Sequence, residues 1–309
     1  MIEVAGLAKT FPPRRRGGSP VEAVRDLSFR VERGERLAYI GPNGAGKSTS
    51  IKMLTGILHP SGGEARVLGR VPWRQRRELA LHIGALFGQR AQLWAELSPR
   101  QGYQLLGAIY GIAAPEARAR IEELGDTLDM ADELDVPVRT LSLGQRMRAE
   151  LAASLLHRPE ILFLDEPTIG LDLLAKQRFR ELLVRVNEQA GTTVFLTSHD
   201  VADIEQVARR VVVINHGRLI YDDQVTAMRR TFLATKRIEV SFERPPGPLS
   251  LPGVEVLARS ATALALVVDT SRRSIREVLD AVLDASQVAD ISIVDPPLEQ
   301  VIASIYAAA

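Results

Sequence analysis

The residues Gly41-Pro42-Asn43-Gly44-Ala45-Gly46-Lys47-Ser48-Thr49 have the types and spacing to hold the phosphates of a nucleotide. The glycines let the backbone approach a ligand closely and take conformations that a Cβ forbids. Successive backbone N–H groups would point at the phosphates, helped by the positive end of a following helix. Lys47 would reach the β- and γ-phosphates, and the Ser48 hydroxyl would ligate Mg2+. Two further places could serve such a ligand. Asp165-Glu166-Pro167 ends the apolar run Ile161–Leu164, and open α/β sheets bind ligands at strand ends of this kind. Ser142, in Leu141-Ser142-Leu143-Gly144-Gln145, is placed to cap a helix whose first N–H groups would face an anion.

The elements that must position these residues follow from periodicity. Leu37–Ile40 is the strand before the loop, and Ile51, Leu54, Ile57 and Leu58 are spaced for one face of the helix after it. Ile2–Leu7 and Leu27–Val31 are further strands, the second with Leu27, Phe29 and Val31 inward and Ser28 and Arg30 outward. Between them, Pro12–Pro20 is too rich in Pro and Gly for regular structure, and Arg14, Arg15 and Arg16 read as a solvated loop face. Ser98-Pro99 starts a helix through Tyr103, Leu106, Ile109 and Tyr110, and helical spacing returns from Pro115 to Leu128.

Ile161–Leu164 reads as a strand buried on both faces of a parallel sheet. It leads to a helix with Leu171, Leu174, Phe179, Leu182, Leu183 and Val186 on its buried side. Thr193–Leu196 is a similar strand, ending at Thr197-Ser198-His199-Asp200. Val211–Ile214 and Leu219–Tyr221 flank a hairpin turn at Asn215–Arg218. After Thr231 the character changes. Strands at Lys236–Phe242, Ala263–Val268 and Ile291–Val294 accompany a helix opened by the capping box Ser274-x-x-Glu277, with Ile275, Val278, Leu279, Val282 and Leu283 on one face. Leu298, Val301, Ile302, Ile305 and Tyr306 are spaced for a closing amphipathic helix.

Composition narrows the partners. At 309 residues, two domains are the expectation, and 46% hydrophobic with 25% charged residues describes an ordinary globular protein. Thirty-nine basic residues balance 38 acidic ones, which gives no support for nucleic acid as a partner. The absence of cysteine removes disulfides, thiolate catalysis and Cys-based zinc sites, and fits a reducing compartment. No basic-then-apolar leader follows Met1, and no apolar run approaches the ~18 residues of a membrane span. A membrane role would go through another polypeptide.

The ordered set of Gly41–Ser48, Gln89, Leu141–Gln145, Ile161–Glu166, Asp172 and His199 resembles the ATP-binding subunit of an ABC transporter, over about residues 1 to 230. Its most specific part is Leu141-Ser142-Leu143-Gly144-Gln145 upstream of the Asp-Glu strand end. The resemblance implies an α/β fold: a P-loop ATPase core with a β-rich subdomain and a helical insertion at about 95–158, together making a domain of 1–231. A small C-terminal α+β domain, 232–309, would regulate closure or add dimer contacts. It implies ATP and Mg2+ as ligands, with Asp165 and Gln89 joining Ser48 in the metal shell. Glu166 would orient and deprotonate the attacking water, and His199 would contact the γ-phosphate.

Ser142 and Gly144, followed by Gln145, would close on the nucleotide held by a second copy, with Asp172 at the seam. Phe11 would stack on adenine. The family's third signature position is usually Gly, and here it is Leu143; Ser142 and Gly144 remain, so the site is expected to work. Phe87–Arg90 and Leu141–Arg148 look like a subgroup of bacterial exporter ATPases, resembling the daunorubicin-resistance and viologen-export systems. Such a chain would sit at the cytoplasmic face of the cell membrane, bound to separate permease subunits. The alternative is a soluble ATPase of the same superfamily acting as a switch in translation or DNA repair. Such proteins usually carry two cassettes or a long coiled coil, and this chain has one cassette and no sustained heptads.

Overall fold

The computed structural model describes residues 1–13, 18–88, 91–232, 235–247, 253–270, 272–294, 301–302 and 305–306. The chain forms two compact units, Met1–Val225 and Thr226–Ala309. In the first, β1 (Ile2–Phe11) and β2 (Val21–Val31) lead to β3 (Arg36–Ile40), the glycine-rich loop and α1 (Lys47–Leu54). Then come β4 (Gly62–Val67), α2 (Arg76–Ala80) and β5 (Ile83–Phe87). Between β5 and the next strand the chain is helical: α3 (Pro99–Ile109), α4 (Ala114–Thr127) and α5 (Leu143–Leu155). It continues through β6 (Ile161–Asp165), α6 (Leu173–Ala190), β7 (Thr193–Thr197) and α7 (Val201–Val207), and ends in the hairpin β8 (Arg210–Asn215) and β9 (Arg218–Gln224).

β2, β1 and β4 make an antiparallel sheet, while the central sheet has the order β5-β6-β7-β3-β8-β9. Its first five strands pair in parallel and β9 closes the edge antiparallel. Parallel pairing sets the C-terminal ends of β3, β6 and β7 side by side, with Asp165 in register with Thr197. Every residue of β3 and Ile161–Leu164 of β6 are buried, as strands covered on both faces must be. Phe29 of β2 packs with Tyr39 and Phe195, and Phe195 with Tyr39 and Phe163, ring centroids 5.2–6.3 Å apart, so an aromatic cluster fastens the small sheet to the strands that carry the site. The helices between β5 and β6 have their own apolar contacts, among them Tyr103, Ile121, Leu124 and Leu151.

Helix starts follow local chemistry closely. Ser98 and Gln101 form a reciprocal capping box with Pro99 just inside, and Ser142 with Gln145 form another. Other expectations are corrected. β1 runs on to Phe11 and β2 begins at Val21, because cross-strand pairing such as Thr10 with Glu22 holds polar residues that burial would not. Leu174 is not on the buried side of α6: it is 67% exposed and Leu173 is 76% exposed. Leu171, Phe179, Leu182, Leu183 and Val186 are buried as expected. Residues Arg14, Arg15 and Arg16 lie outside the described residues.

In the second unit, α8 (Val225–Phe232) starts at the boundary, followed by β10 (Thr235–Phe242), β11 (Val254–Arg259), β12 (Ala263–Asp269), α9 (Ile275–Ala285) and β13 (Val288–Val294). The antiparallel order is β11-β12-β10-β13. Ile238, Val240 and Phe242 cluster with Leu264, Leu266 and Val268, and Val278 and Val282 of α9 complete the core. Ser274 caps α9 by accepting from the Glu277 N–H at 3.3 Å. Leu283, expected on the α9 seam, is 56% exposed. Val301, Ile302 and Ile305 are buried and helical, while Leu298 lies outside the described residues.

Candidate active site

β3 delivers the glycine-rich loop to the end of the central sheet, and two glycines there have no substitute. A Cβ on Gly41 would lie 2.4 Å from the Ile214 carbonyl oxygen. Gly46 has a φ of 107° and a Cβ on it would lie 2.4 Å from the Ala23 carbonyl oxygen. Gly46 caps α1 with no side-chain hydrogen bond, and the first turn holds no acidic residue. The first-turn N–H groups of α1 are therefore left to an anion. Lys47 is buried and donates to the Gly41 carbonyl at 2.7 Å and to that of Pro42 at 3.4 Å. Its Nζ also stands 3.5 Å from Glu166 Oε1. A buried cation beside open helix N–H groups suits a phosphate. Pro42, Asn43, Gly44 and Ser48 are exposed, Ala45 is buried, and Thr49 is half-buried.

β6 and β7 supply the opposite wall. Asp165 ends β6 and its Oδ1 accepts from Thr197 Oγ1 at 2.7 Å. Glu166 has a φ of 53°, the left-handed region that a β-carbon disfavours, so its placement is a strained one. Its N–H is shared between the Thr197 carbonyl at 3.1 Å and Thr197 Oγ1 at 3.0 Å, which holds the turn. The Glu166 carboxylate then faces Lys47 through one oxygen and accepts from His199 Nδ1 at 2.8 Å through the other. The His199 side chain is 61% exposed, whereas that of Glu166 is 18% exposed. Lys47, Glu166 and His199 thus form one chain of charged and polar contacts across three strand ends.

One buried group beneath this cluster was not foreseen. Asp203 on α7 is fully buried, and its Oδ2 accepts from Thr168 Oγ1 and from Ser198 Oγ, both at 2.6 Å. Its Oδ1 accepts from Arg180 Nε of α6 at 2.6 Å. Thr168 and Ser198 adjoin the turns that carry Glu166 and His199, so one carboxylate braces both. Asp200, beside it, is pushed up by burial, but Lys176 and Arg180 overcome this and hold its carboxyl below the usual range. The only signal in the sequence was an acidic residue next to the apolar Ile204 and Val207.

The other expected residues lie at helix starts. Ser142 accepts from the Gln145 N–H at 3.2 Å and Gln145 Oε1 accepts from the Ser142 N–H at 2.9 Å. Gln145 Nε2 goes to Glu133 at 2.9 Å, so both ends of its amide are engaged. Asp172 caps α6, accepting from the Ala175 N–H at 2.9 Å. Gly144 abuts Ala175, which sets the two helix starts beside each other. Among the described residues, no hydrogen bond or ion pair joins Ser142, Gly144, Gln145 or Asp172 to the glycine-rich loop. Phe11 pairs with Val21 on β2, the strand whose Ala23 meets Gly46, and Lys9 stands over its ring at 5.2 Å. Gln89 lies outside the described residues; Gly88 before it donates its N–H to the Asp165 carbonyl at 2.9 Å.

Comparison with known proteins gives the family. The family described as ABC transporter matches residues 24–169. A daunorubicin resistance ATP-binding protein of Streptomyces coeruleorubidus is 37% identical over 97% of this chain and 92% of its own length. An ABC transporter ATP-binding protein of Bacillus subtilis (strain 168) is 34% identical over 72% of this chain and 88% of its own. Among solved structures, an ATP-binding cassette in a dimeric post-hydrolysis state, bound to ADP and Pi, superposes with a TM-score of 0.64 at 25% identity, covering 73% of this chain and 99% of that one. A P-loop cassette of this kind defines a nucleotide-binding ATPase. The chain belongs to the ABC transporter family, as an ATP-binding and ATP-hydrolysing subunit.

Proposed function

We propose that this subunit drives export of a substrate through separately encoded membrane subunits, working as a pair of copies that enclose ATP between them. The observation that carries the reading is the contact chain Lys47–Glu166–His199 at three adjacent strand ends. Among the described residues no helix is long and apolar enough to cross a membrane. The substrate path would belong to partner chains in the membrane, with this subunit at the cytoplasmic face. Relatives named for daunorubicin resistance support export. A switch role in translation or DNA repair has no support among these relatives.

The site residues take roles that follow from their chemistry. Lys47 would exchange its loop carbonyls and Glu166 for the β- and γ-phosphates, while Ser48 and Thr49 open α1 beside them. That exchange frees Glu166 to orient a water and accept its proton. His199, now held by Glu166, would contact the γ-phosphate. Ser48, Asp165 and Gln89 would hold Mg2+, which when bound neutralises phosphate charge. Among the described residues no three His, Cys, Asp or Glu converge on a point, and this set requires no such cage, because Mg2+ takes most of its ligands from phosphate and water. Ser142, Gly144 and the α5 N-terminus would meet the nucleotide of the second copy, with Asp172 at the seam and Phe11 on adenine. The unit 226–309 would regulate closure or add dimer contacts.

The test is Glu166→Gln. We expect ATP turnover to fall by about 10²-fold or more, with ATP binding intact and an ATP-dependent dimer accumulating in size-exclusion chromatography. Unchanged turnover would remove Glu166 from the role of base.

A further inference from the structure

A second buried carboxylate sits away from the phosphate loop, in the middle of α5. Glu150 is 2% exposed and lies between the buried Ala149 and Leu151. Nothing within the helix needs a carboxylate there, and an apolar residue would fill the position without desolvating a charge. Both of its oxygens are nevertheless engaged by the backbone of one distant segment. Oε2 accepts from the Gln92 N–H at 2.8 Å and Oε1 from the Leu93 N–H at 3.3 Å. The side chain of Gln92 reaches the other way, donating from Nε2 to the Ala85 carbonyl of β5 at 3.0 Å. Burial pushes the Glu150 carboxyl up, and the two N–H groups and Arg146 oppose that.

The geometry matters because of what each end is attached to. α5 is the helix capped by Ser142, and Gln92 and Leu93 come directly after the Gln89 position in the chain. A cavity of about 290 Å³ lies beside the connection, lined by Gly88, Ala91, Met147, Glu150, Glu166 and Ile169. The segment therefore has room on the side of the catalytic glutamate, and its tether to α5 consists of charge-assisted bonds.

We propose that Glu150 is a positioning residue for turnover: it fastens Gln92 and Leu93 to α5, so that the helix start meeting the second copy's nucleotide and the segment after Gln89 shift as one body. The inference rests on the transport-ATPase reading above. Only a carboxylate can accept from two N–H groups with two equivalent oxygens while donating nothing. A glutamine of the same shape turns an NH2 toward one of them, so that one backbone donor is left unpaired.

The chain carries its own reporter. Trp94 directly follows Leu93 and is 43% exposed, and Trp73 is the other of the two tryptophans. In the full-length chain with Trp73→Phe, Mg-ATP binding, steady-state hydrolysis and Trp94 emission are measured for Glu150, Glu150→Gln, Glu150→Asp and Gln92→Ala. We expect Glu150→Gln to lower kcat by about 10- to 100-fold with KM and ATP affinity unchanged, and to abolish the Mg-ATP-induced change in Trp94 emission. Glu150→Asp keeps both oxygens and restores part of kcat. Gln92→Ala, which keeps the tethered N–H, gives a smaller fall. An unchanged kcat in Glu150→Gln overturns the proposal. So does a loss that merely tracks a lower melting temperature while the Trp94 response persists, and so does a Trp94 signal indifferent to Mg-ATP in the parent. Absence of hydrolysis in the parent would instead sink the transport-ATPase reading.

Discussion

The strand ends and the helix starts of the first unit carry residues of equal expected importance in opposite states. At the ends of β3, β6 and β7, Lys47, Glu166 and His199 satisfy one another, with Glu166 held in a strained turn. At the starts of α5 and α6, Ser142, Gln145 and Asp172 are occupied with capping their own helices. The first cluster is a set of charges that a nucleotide can divide among new partners. The second is a pair of stable helix ends, and among the described residues no ion pair brings an anion to them from the glycine-rich loop or its neighbours. Half of the expected site is therefore assembled by folding, and the other half, in the proposed dimer, would be completed by the second copy.

That contrast breaks most sharply in a complementation experiment. Lys47→Ala and Ser142→Ala are each expected to lower turnover by about 10²-fold. If the helix start serves the other copy's nucleotide, mixing the two variants creates one dimeric site free of both lesions, and turnover rises above either variant alone. If Ser142 serves its own loop, every site in the mixture keeps a lesion and mixing restores nothing.

A smaller effect tests whether the strand-end cluster depends on its buried brace. Asp203→Asn leaves the buried Arg180 without its closest counter-charge and should destabilise the unit by about 3 kcal/mol, read as a fall in the thermal midpoint. Lys176→Ala, at the partly exposed pair with Asp200, should change it by less than about 1 kcal/mol. Equal effects from both would mean that the buried network does not hold the turns that carry Glu166 and His199.

The smallest expected effect concerns pH. His157 follows α5, stacks on Tyr110 at 4.0 Å and bonds the Ile83 carbonyl through Nε2 at 3.0 Å. Burial pushes its pKa below the usual histidine value, against the Ile83 bond, with His82 and Arg120 lowering it further. The unfolded chain then binds a proton that the folded chain refuses, so stability falls as pH drops below about 6.5. His157→Phe should flatten the dependence of the melting temperature between about pH 5 and 7. A slope unchanged by the substitution would assign the pH response to other groups.

Much of the site was legible because its causes are local. The glycine-rich loop between an apolar strand and a periodic helix, the acidic pair ending a four-residue apolar run, and the helix starts at Ser98 and Ser142 each need only a few neighbours. What was missed has partners far along the chain. Arg180 meets Asp203 across 23 residues, Thr168 meets Asp203 across 35, and Glu150 meets Gln92 across 58. Leu174 and Leu283 had the right spacing to be buried, but spacing says nothing about how far the neighbouring layer extends over a helix. β11 shows no clean alternation in its burial, and its pairing with β12 makes it a strand.

By itself, the amino-acid sequence determined most of the elements, the candidate phosphate-binding loop and the catalytic candidates, since backbone conformation, capping and side-chain chemistry act over a turn or two. Only the tertiary structure decided which of those candidates touch. Parallel pairing of β3, β6 and β7 brings Lys47, Glu166 and His199 within reach of one another, and the burial of Asp203 and Glu150 turns two ordinary acidic residues into braces. A carboxylate taken out of water must find its donors wherever the fold brings them, and that distance is not written in sequence separation.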